Sequence, residues 1–283
     1  LGDGGHTEFI LKNTGPKTRV LGIDRDRSAV DRAKERLRPF KHRATLVHGS
    51  LENLRGLVRQ SGIKKINGLL LDFGVSSPQL DTPERGFSIK NDGPLDMRMD
   101  NSQTITAANL LEKLKDDELI SIIKNFGEER FAKKIVRAIR REQEEKPIIT
   151  TSHLSKIILS VVKSPKYSRI HPATKTFQAL RIAVNNELEQ IKVVLNDAIN
   201  LLDASARIVA ISFHSLEDRL VKTFFRQEEK GCTCAPKTPI CICGNKRTLK
   251  ILTRRPIYPS EEEVTLNPRS VSAKLRVAER VYV

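Results

Sequence analysis

Four short apolar runs constrain this chain more than any other feature. They are residues 18–24 (TRVLGID), 44–47 (ATLV), 66–71 (INGLLL) and 207–213 (RIVAISF), each about one strand long. Near-continuous apolar strands suit a parallel sheet covered on both faces. Helix-like segments at 28–38 and 51–60 separate the first three, and another at 7–13 precedes them. Strands alternating with helices predict an α/β fold with a doubly wound sheet.

The rhythm changes near Pro94. Residues 106–162 carry helical signals and no convincing strand. Thr106 can cap a helix over 107–114, and Asp116 one over 118–126. Residues 128–142 read as a strongly basic helix. Thr151 or Ser152 can start a helix over 154–162, which Pro165 ends. Residues 173–202 are helical again, with room for one break, before the 207–213 run resumes the sheet. A helix follows over 215–226, with Ser215 and Asp218 spaced as a capping box. The predicted division is therefore a first part of the core at 1–98, a helical insertion at 99–172, and a second part of the core at 173–283 with a basic tail. No internal repeat interrupts this order.

Charge narrows the partner. Lys and Arg number 50 against 34 Asp and Glu, a formal charge of +16, with 39% hydrophobic residues. An ordinary apolar fraction argues against simple disorder, and the excess of cations points to a polyanion, most simply nucleic acid. Lys133, Lys134, Arg137, Arg140, Arg141 and Lys175 lie in the helical stretch, with Lys163, Lys166, Arg169 and His171 between them, and further cations follow in the tail. With no Trp and 5% aromatic residues, stacking platforms for single strands are poorly supplied. No apolar run approaches the roughly 18 residues of a membrane span, and the first 15 residues lack a secretory signal, so a soluble protein is expected.

Three strand ends can carry chemistry. Gly2-x-Gly4-Gly5 stands directly before a helix, where glycines let backbone N–H groups approach a ligand. Asp24 ends the next strand, where a carboxylate can accept from ribose hydroxyls; the alternative is an ordinary turn and a strand-end acid. Asp72-Phe73-Gly74-Val75-Ser76-Ser77-Pro78-Gln79 follows the third run and is a pocket wall or a polar loop. At the fourth, Ser212-Phe213-His214-Ser215 lacks the G-x-S-x-G of a hydrolase elbow, and His214 faces either the core or a substrate. Cys232-x-Cys234 and Cys241-x-Cys243 place four thiols within 12 residues. They can hold zinc or stand as reduced thiols; the spacing is tighter than the usual C-x₂₋₄-C, and no metal is assigned.

Taken together, LGDGGHT at 1–7, LDFGVSSPQLD at 71–81, ERGFS at 84–88, DGPLDMRMD at 92–100, FGEERFAKKI at 126–135, PATKTFQALRIAVNNEL at 172–188, ISFHSLEDR at 211–219 and NPRSVSAKLRVAER at 267–280 resemble the MraW/RsmH family. Its members are S-adenosylmethionine-dependent 16S rRNA (cytosine-N4) methyltransferases. The resemblance implies a class I (Rossmann-like) methyltransferase sheet with an inserted all-helical domain. It implies methyl transfer to N4 of one cytidine in the decoding region, position 1402 in bacterial rRNA numbering, on small-subunit rRNA or an immature small subunit. It implies a cytoplasmic setting, or the mitochondrial matrix for a eukaryotic source. It places cofactor contacts at Gly4, Gly5, His6, Asp24, Asp72 and Gln79, with Leu51 near the adenine where the family often has an aromatic. Asp203-Ala204-Ser205-Ala206 stands where Pro-Gly-Gly is usual. A strand ahead of the glycine turn is also usual, and a missing segment of roughly 20–30 residues is expected.

The cytosine amine is a weak nucleophile, so a pocket must position it and accept hydrogen bonds as it develops charge. Asp72, Ser76, Ser77, His214 and loop carbonyls are the candidates. Two other functions remain open at this level: a non-catalytic RNA-binding assembly factor, and a nicotinamide-dependent oxidoreductase, which +16 and the absent G-x-G-x-x-G disfavour.

Overall fold

The apolar runs become strands, and their pairing sets where their ends lie. In the computed structural model, which describes residues 1–163, 171–234, 240 and 242–281, β1 (Val20–Asp24) pairs in parallel with β2 (Ala44–His48). A second sheet holds β3 (Ile66–Asp72), β4 (Leu202–Ser212), β5 (Leu249–Ile251) and β6 (Lys274–Arg280) in the order β3-β4-β6-β5. β3 and β4 are parallel, and the β4–β6 and β5–β6 pairs are antiparallel. The single continuous sheet predicted above is thus found as two pieces. Among the described residues β1 pairs with β2 alone. The antiparallel pair β5 and β6 escaped the sequence reading because their alternation is short and heavily charged.

The helices are α1 (Gly5–Lys12), α2 (Arg27–Arg36), α3 (Leu54–Gln60), α4 (Ser77–Asp81), α5 (Ala107–Lys113), α6 (Asp116–Gly127), α7 (Ala132–Glu145), α8 (Thr151–Val161), α9 (Thr174–Asn185), α10 (Glu187–Leu201), α11 (Ser215–Lys230) and α12 (Glu261–Leu266). The break foreseen in the long helical stretch falls at Asn186, whose φ of 51° ends α9 in the left-handed region. No helix among the described residues is long and apolar enough to cross a membrane.

Two compact units result: Leu1–Gly74 with Leu188–Val283, and Val75–Glu187. In the first, Leu71 and Phe73 of the β3 strand end, Ile208 and Ala210 of β4, Leu195 of α10 and Phe225 of α11 share one buried cluster. In the second, Leu111, Leu119, Ile123, Ile135, Ile139, Leu154, Ile158 and Leu180 form a helical core. The second unit begins before residue 99 and ends after residue 172, the limits expected from the helical pattern. The reason is packing: Phe87, Leu95, Met97 and Met99 are buried in that same core, and α9 lies wholly inside the unit. Asn185, fully buried, accepts from Met99 N–H at 2.8 Å and donates to the Met97 carbonyl at 2.7 Å. It thereby pins a segment in which Met97 has φ of 63°. Truncating it would leave two buried backbone groups unmet, each costing about 1–3 kcal/mol.

At the start of β4 the register with β3 shifts between Ile66 and Gly68, and Ser205 takes φ of 61°. The bend is kept although no glycine is there, at a cost of order 1 kcal/mol.

Candidate active site and nucleic-acid face

The glycine turn stands on the first unit. Gly4 is the N-cap of α1 with φ of 82°, and a Cβ there would lie 3.2 Å from a Leu37 methyl and 3.4 Å from Ala33. The left-handed conformation therefore favours glycine, and a Cβ would need Leu37 to give way by a few tenths of an ångström. No side chain caps this helix start, so first-turn N–H groups at Gly5 and His6 are available to an anion.

Asp24 ends β1 beside this turn. Its Oδ2 accepts from Gly2 N–H at 2.8 Å and its Oδ1 from Asp26 N–H at 2.8 Å. Oδ2 also lies 3.5 Å from the Leu1 ammonium, so the freer lone pair is on Oδ1, and the side chain is 18% exposed. The acid thus holds the glycine turn in place and still has acceptor capacity. Asp26 caps α2 through Ser28 N–H at 3.0 Å. Leu51 is half-buried and packs against the cluster under β3 and β4.

Asp72 ends β3, and its carboxylate lies 3.4 Å from His6 Nε2, both side chains well exposed. The Asp72 carboxylate, first by hydrogen bonding, holds the His6 imidazole above its ordinary value; partial burial opposes this. β3 and β4 being parallel, Asp72 is in register with Ile211, and Phe73 N–H donates to the Ile211 carbonyl at 3.1 Å. The loops after these two strands therefore start at the same sheet edge, as ligand-binding loops of open α/β sheets do. Gly74, with φ of 87°, lies against Phe213 from the second loop.

His214, not Ser215, caps α11. Its backbone is extended, with φ −139° and ψ 168°. Glu217, fully buried, accepts from Phe213 N–H at 2.7 Å and His214 N–H at 3.2 Å, and its Oε1 lies 3.1 Å from His214 Nε2. The capping role expected of Ser215 and Asp218 is thus displaced by one residue. Asp218 instead takes both arms of the buried Arg276 of β6, at 2.6 and 3.1 Å. Glu217 was missed from sequence, and Arg276, which counts there among the tail cations expected to meet phosphate, is instead buried against Asp218. The signal for the first was a His-x-x-Glu box, which looks weaker than Ser-x-x-Asp; the second pairs across 58 residues and leaves no local signal.

Ser76, Ser77 and Gln79 belong to the second unit, although they continue the Asp72 loop. Ser76 N–H donates to Gln79 Oε1 at 3.0 Å, closing a box at the start of α4. Gln79 is buried and Ser77 exposed.

The predicted cation row divides. α7 buries Ile135, Val136 and Ile139 and turns Lys133, Lys134, Arg137 and Arg141 to solvent. Arg140 points inward instead. It pairs with Asp116 at 2.7 Å and donates to the Leu111 carbonyl at 2.6 Å, to Gln143 at 2.7 Å, and to the Leu114 carbonyl. It ties the end of α5 to the start of α6 and is withdrawn from the row that can meet phosphate. Lys175 is exposed and donates to the Glu128 carbonyl at 3.1 Å. Lys166 and Arg169 lie outside the described residues, as does Cys241. Cys232, Cys234 and Cys243 come together, with sulfurs within 4.8 Å of one another.

A glycine turn at an uncapped helix start, with acids on the neighbouring strand ends, defines an α/β protein with a ligand cradle at its strand carboxyl ends. The chain matches the MraW methylase family over residues 1–281 and belongs to it; it is a methyltransferase. It is 52% identical over 99% of its length, and 90% of the relative's, to ribosomal RNA small subunit methyltransferase H of Trichlorobacter lovleyi. It is 48% identical, at the same coverages, to the protein of that name from Halothermothrix orenii. A crystallised methyltransferase chain from Streptococcus mutans in complex with SAH aligns over 99% of this chain and 85% of its own, at 8% identity and a TM-score of 0.43, too distant to carry an argument.

Proposed function

We propose that this methyltransferase transfers the methyl group of S-adenosylmethionine to N4 of a cytidine in small-subunit rRNA, at the decoding-region position 1402 in bacterial numbering. The observation that carries the reading is the shared edge: the Asp72 and His214 loops leave the parallel pair β3–β4 side by side, and His6 of the glycine turn reaches Asp72. Relatives at 48–52% identity bear the name ribosomal RNA small subunit methyltransferase H.

The cradle fits such a cofactor. The N–H groups at Gly5 and His6 can meet its carboxylate, Asp24 retains acceptor capacity for its ribose hydroxyls, and Leu51 offers an apolar surface for its adenine. Gln79 serves through the α4 box that shapes the loop after Asp72. Bound S-adenosylmethionine supplies a methyl group already activated on a sulfonium. The protein's part is to hold the amine in line and exclude misorientation. The Asp72 carboxylate accepts from the amine as positive charge develops there, and His6 fixes the orientation of that carboxylate. The His214 loop frames the base from the first unit, Ser76 and Ser77 stay as candidates on the chain that continues from Asp72, and the base must leave its stack to be reached. The exposed cations Lys133, Lys134, Arg137 and Arg141, with Lys175, hold phosphates and carry no base selection.

The test is nucleoside mass spectrometry of immature small subunits incubated with the protein and methyl-labelled S-adenosylmethionine. Label in N4-methylcytidine at the decoding site is expected. Label at cytosine C5 or on a ribose oxygen would overturn the N4 assignment. Tight subunit binding without any label would support a non-catalytic assembly factor instead.

A further inference from the structure

The loop between α11 and β5 has the makings of a second, separate site. Its two arms are closed at the base. Gly231, with φ of 71°, approaches the Lys246–Arg247 backbone so closely that a Cβ would lie 2.5 Å from Arg247 N. Thr248 N–H donates to the Glu228 carbonyl at 3.0 Å, and Asn245 Nδ2 to Thr233 Oγ1 at 3.0 Å. Above that base the usual order of a folded loop is inverted. Ile240 and Ile242 are 77% and 85% exposed, while the half-buried interior among the described residues is made of sulfur.

Cys232 and Cys234 come from one arm and Cys243 from the other. Their sulfurs lie within 4.8 Å of one another, and Cys232 Sγ is 3.8 Å from Cys243 Sγ. A disulfide needs about 2.05 Å, so this spacing is not a bridge. Tetrahedral zinc with Zn–S near 2.3 Å sets neighbouring sulfurs about 3.8 Å apart. Thr233 N–H donates to Cys243 Sγ at 3.4 Å. Outer donors of this kind orient sulfur ligands in metal knuckles.

We propose that Cys232, Cys234 and Cys243 form a structural site for a zinc-class divalent ion, which closes the loop between α11 and β5. Each thiol that binds loses its proton to solvent as the sulfur lone pair bonds the metal; no electron is transferred. The metal supplies a cross-link between the two arms, with the described isoleucines Ile240 and Ile242 left outside it.

The experiment is metal analysis of the full chain purified under reducing conditions, followed by removal of the metal and titration with cobalt(II) alone. One equivalent of zinc per chain is expected, then thiolate-to-cobalt charge transfer and the strong visible bands of tetrahedral cobalt. Cys232→Ser and Cys243→Ser should each weaken cobalt binding by about 100-fold or more. Circular dichroism and S-adenosylmethionine binding by the stripped protein and by both variants report whether the rest of the chain is folded. The proposal is overturned if the wild-type chain, its thiols titrating as reduced, retains no metal and gives no charge-transfer band. It is equally overturned if thiol titration finds a disulfide among these residues in protein from a reducing cell, or if the cobalt spectrum survives in both folded variants.

Discussion

In the α/β unit the acids Asp24, Asp72, Glu217 and Asp218 each hold a partner within the protein: a glycine-turn N–H, an imidazole, two backbone N–H groups, a guanidinium. In the helical unit Lys133, Arg137 and Arg141 face solvent, with no ion pair among the described residues. The contrast follows from what each must recognise. A small ligand with one reacting atom needs donors and acceptors placed to within fractions of an ångström, so the chain fixes them with its own bonds. A polyanion needs charge density along a face, and flexible, hydrated cations suffice. Arg140 marks the boundary between these uses: one turn from Arg137 and next to Arg141, it is built in as firmly as any residue of the cradle.

The comparison breaks first at Asp72. Asp72→Asn keeps volume and removes charge; turnover at saturating cofactor should fall about 100-fold or more, with folding and rRNA binding kept. A variant with full kcat and only a raised KM for S-adenosylmethionine would make Asp72 a binding residue alone. Asp24→Ala should weaken cofactor binding roughly 10- to 100-fold by calorimetry, the loss of a charge-assisted bond of about 1.5–3 kcal/mol. RNA affinity should be nearly unchanged; unaltered cofactor affinity would remove Asp24 from the site.

The helical unit should respond in the opposite sense. Neutralising Lys133 and Arg137 together should lower the salt slope of RNA binding by about one unit for each lost phosphate contact, leaving cofactor binding alone. Arg140→Gln should instead lower the melting temperature and spare the slope. If the two variants behave alike, the division of the row is wrong.

The smallest effect is on pH. Asp72 raises the His6 value in the fold. The stabilisation this pair adds is therefore complete below the unfolded value of about 6.5, and it is lost as pH rises through the higher folded value. With His6 over half exposed, solvent screens the pair. Melting temperatures of wild type and His6→Gln should differ slightly near pH 5.5 and converge near pH 8, an interval of about 2.5 units across the imidazole range. A difference that grows with pH would contradict the pairing.

Much of this was legible in the residues. The four apolar runs announce their strands because period and branching act locally, and Asp24 and Asp72 are found at strand ends because such acids follow directly on apolar residues. The division of the cation row was not legible: Arg140 and Arg141 are adjacent and chemically alike, and only helix phase against α5 and α6 separates them. The cap of α11 was misread by one residue because a His-Glu box and a Ser-Asp box overlap in HSLED. The burial of Met97 and Met99 left no local signal, since it depends on Asn185, 88 and 86 residues away. The start of the helical unit at Val75 follows from the same distant contacts.

The antiparallel strand β6 sets a schedule for making the protein. Lys274, where it begins, follows Ser212 of β4 by 62 residues. At roughly 5–20 residues per second on the ribosome, the second edge of β4 stays without its neighbour for about 3–12 s. Over the same interval Asp218 lacks Arg276. A half-made molecule thus presents an apolar strand edge beside an uncompensated carboxylate, a state open to pairing with other nascent chains. Conditions that slow elongation late in the message, or premature release after β4, should therefore show up as aggregation of an otherwise sound sequence.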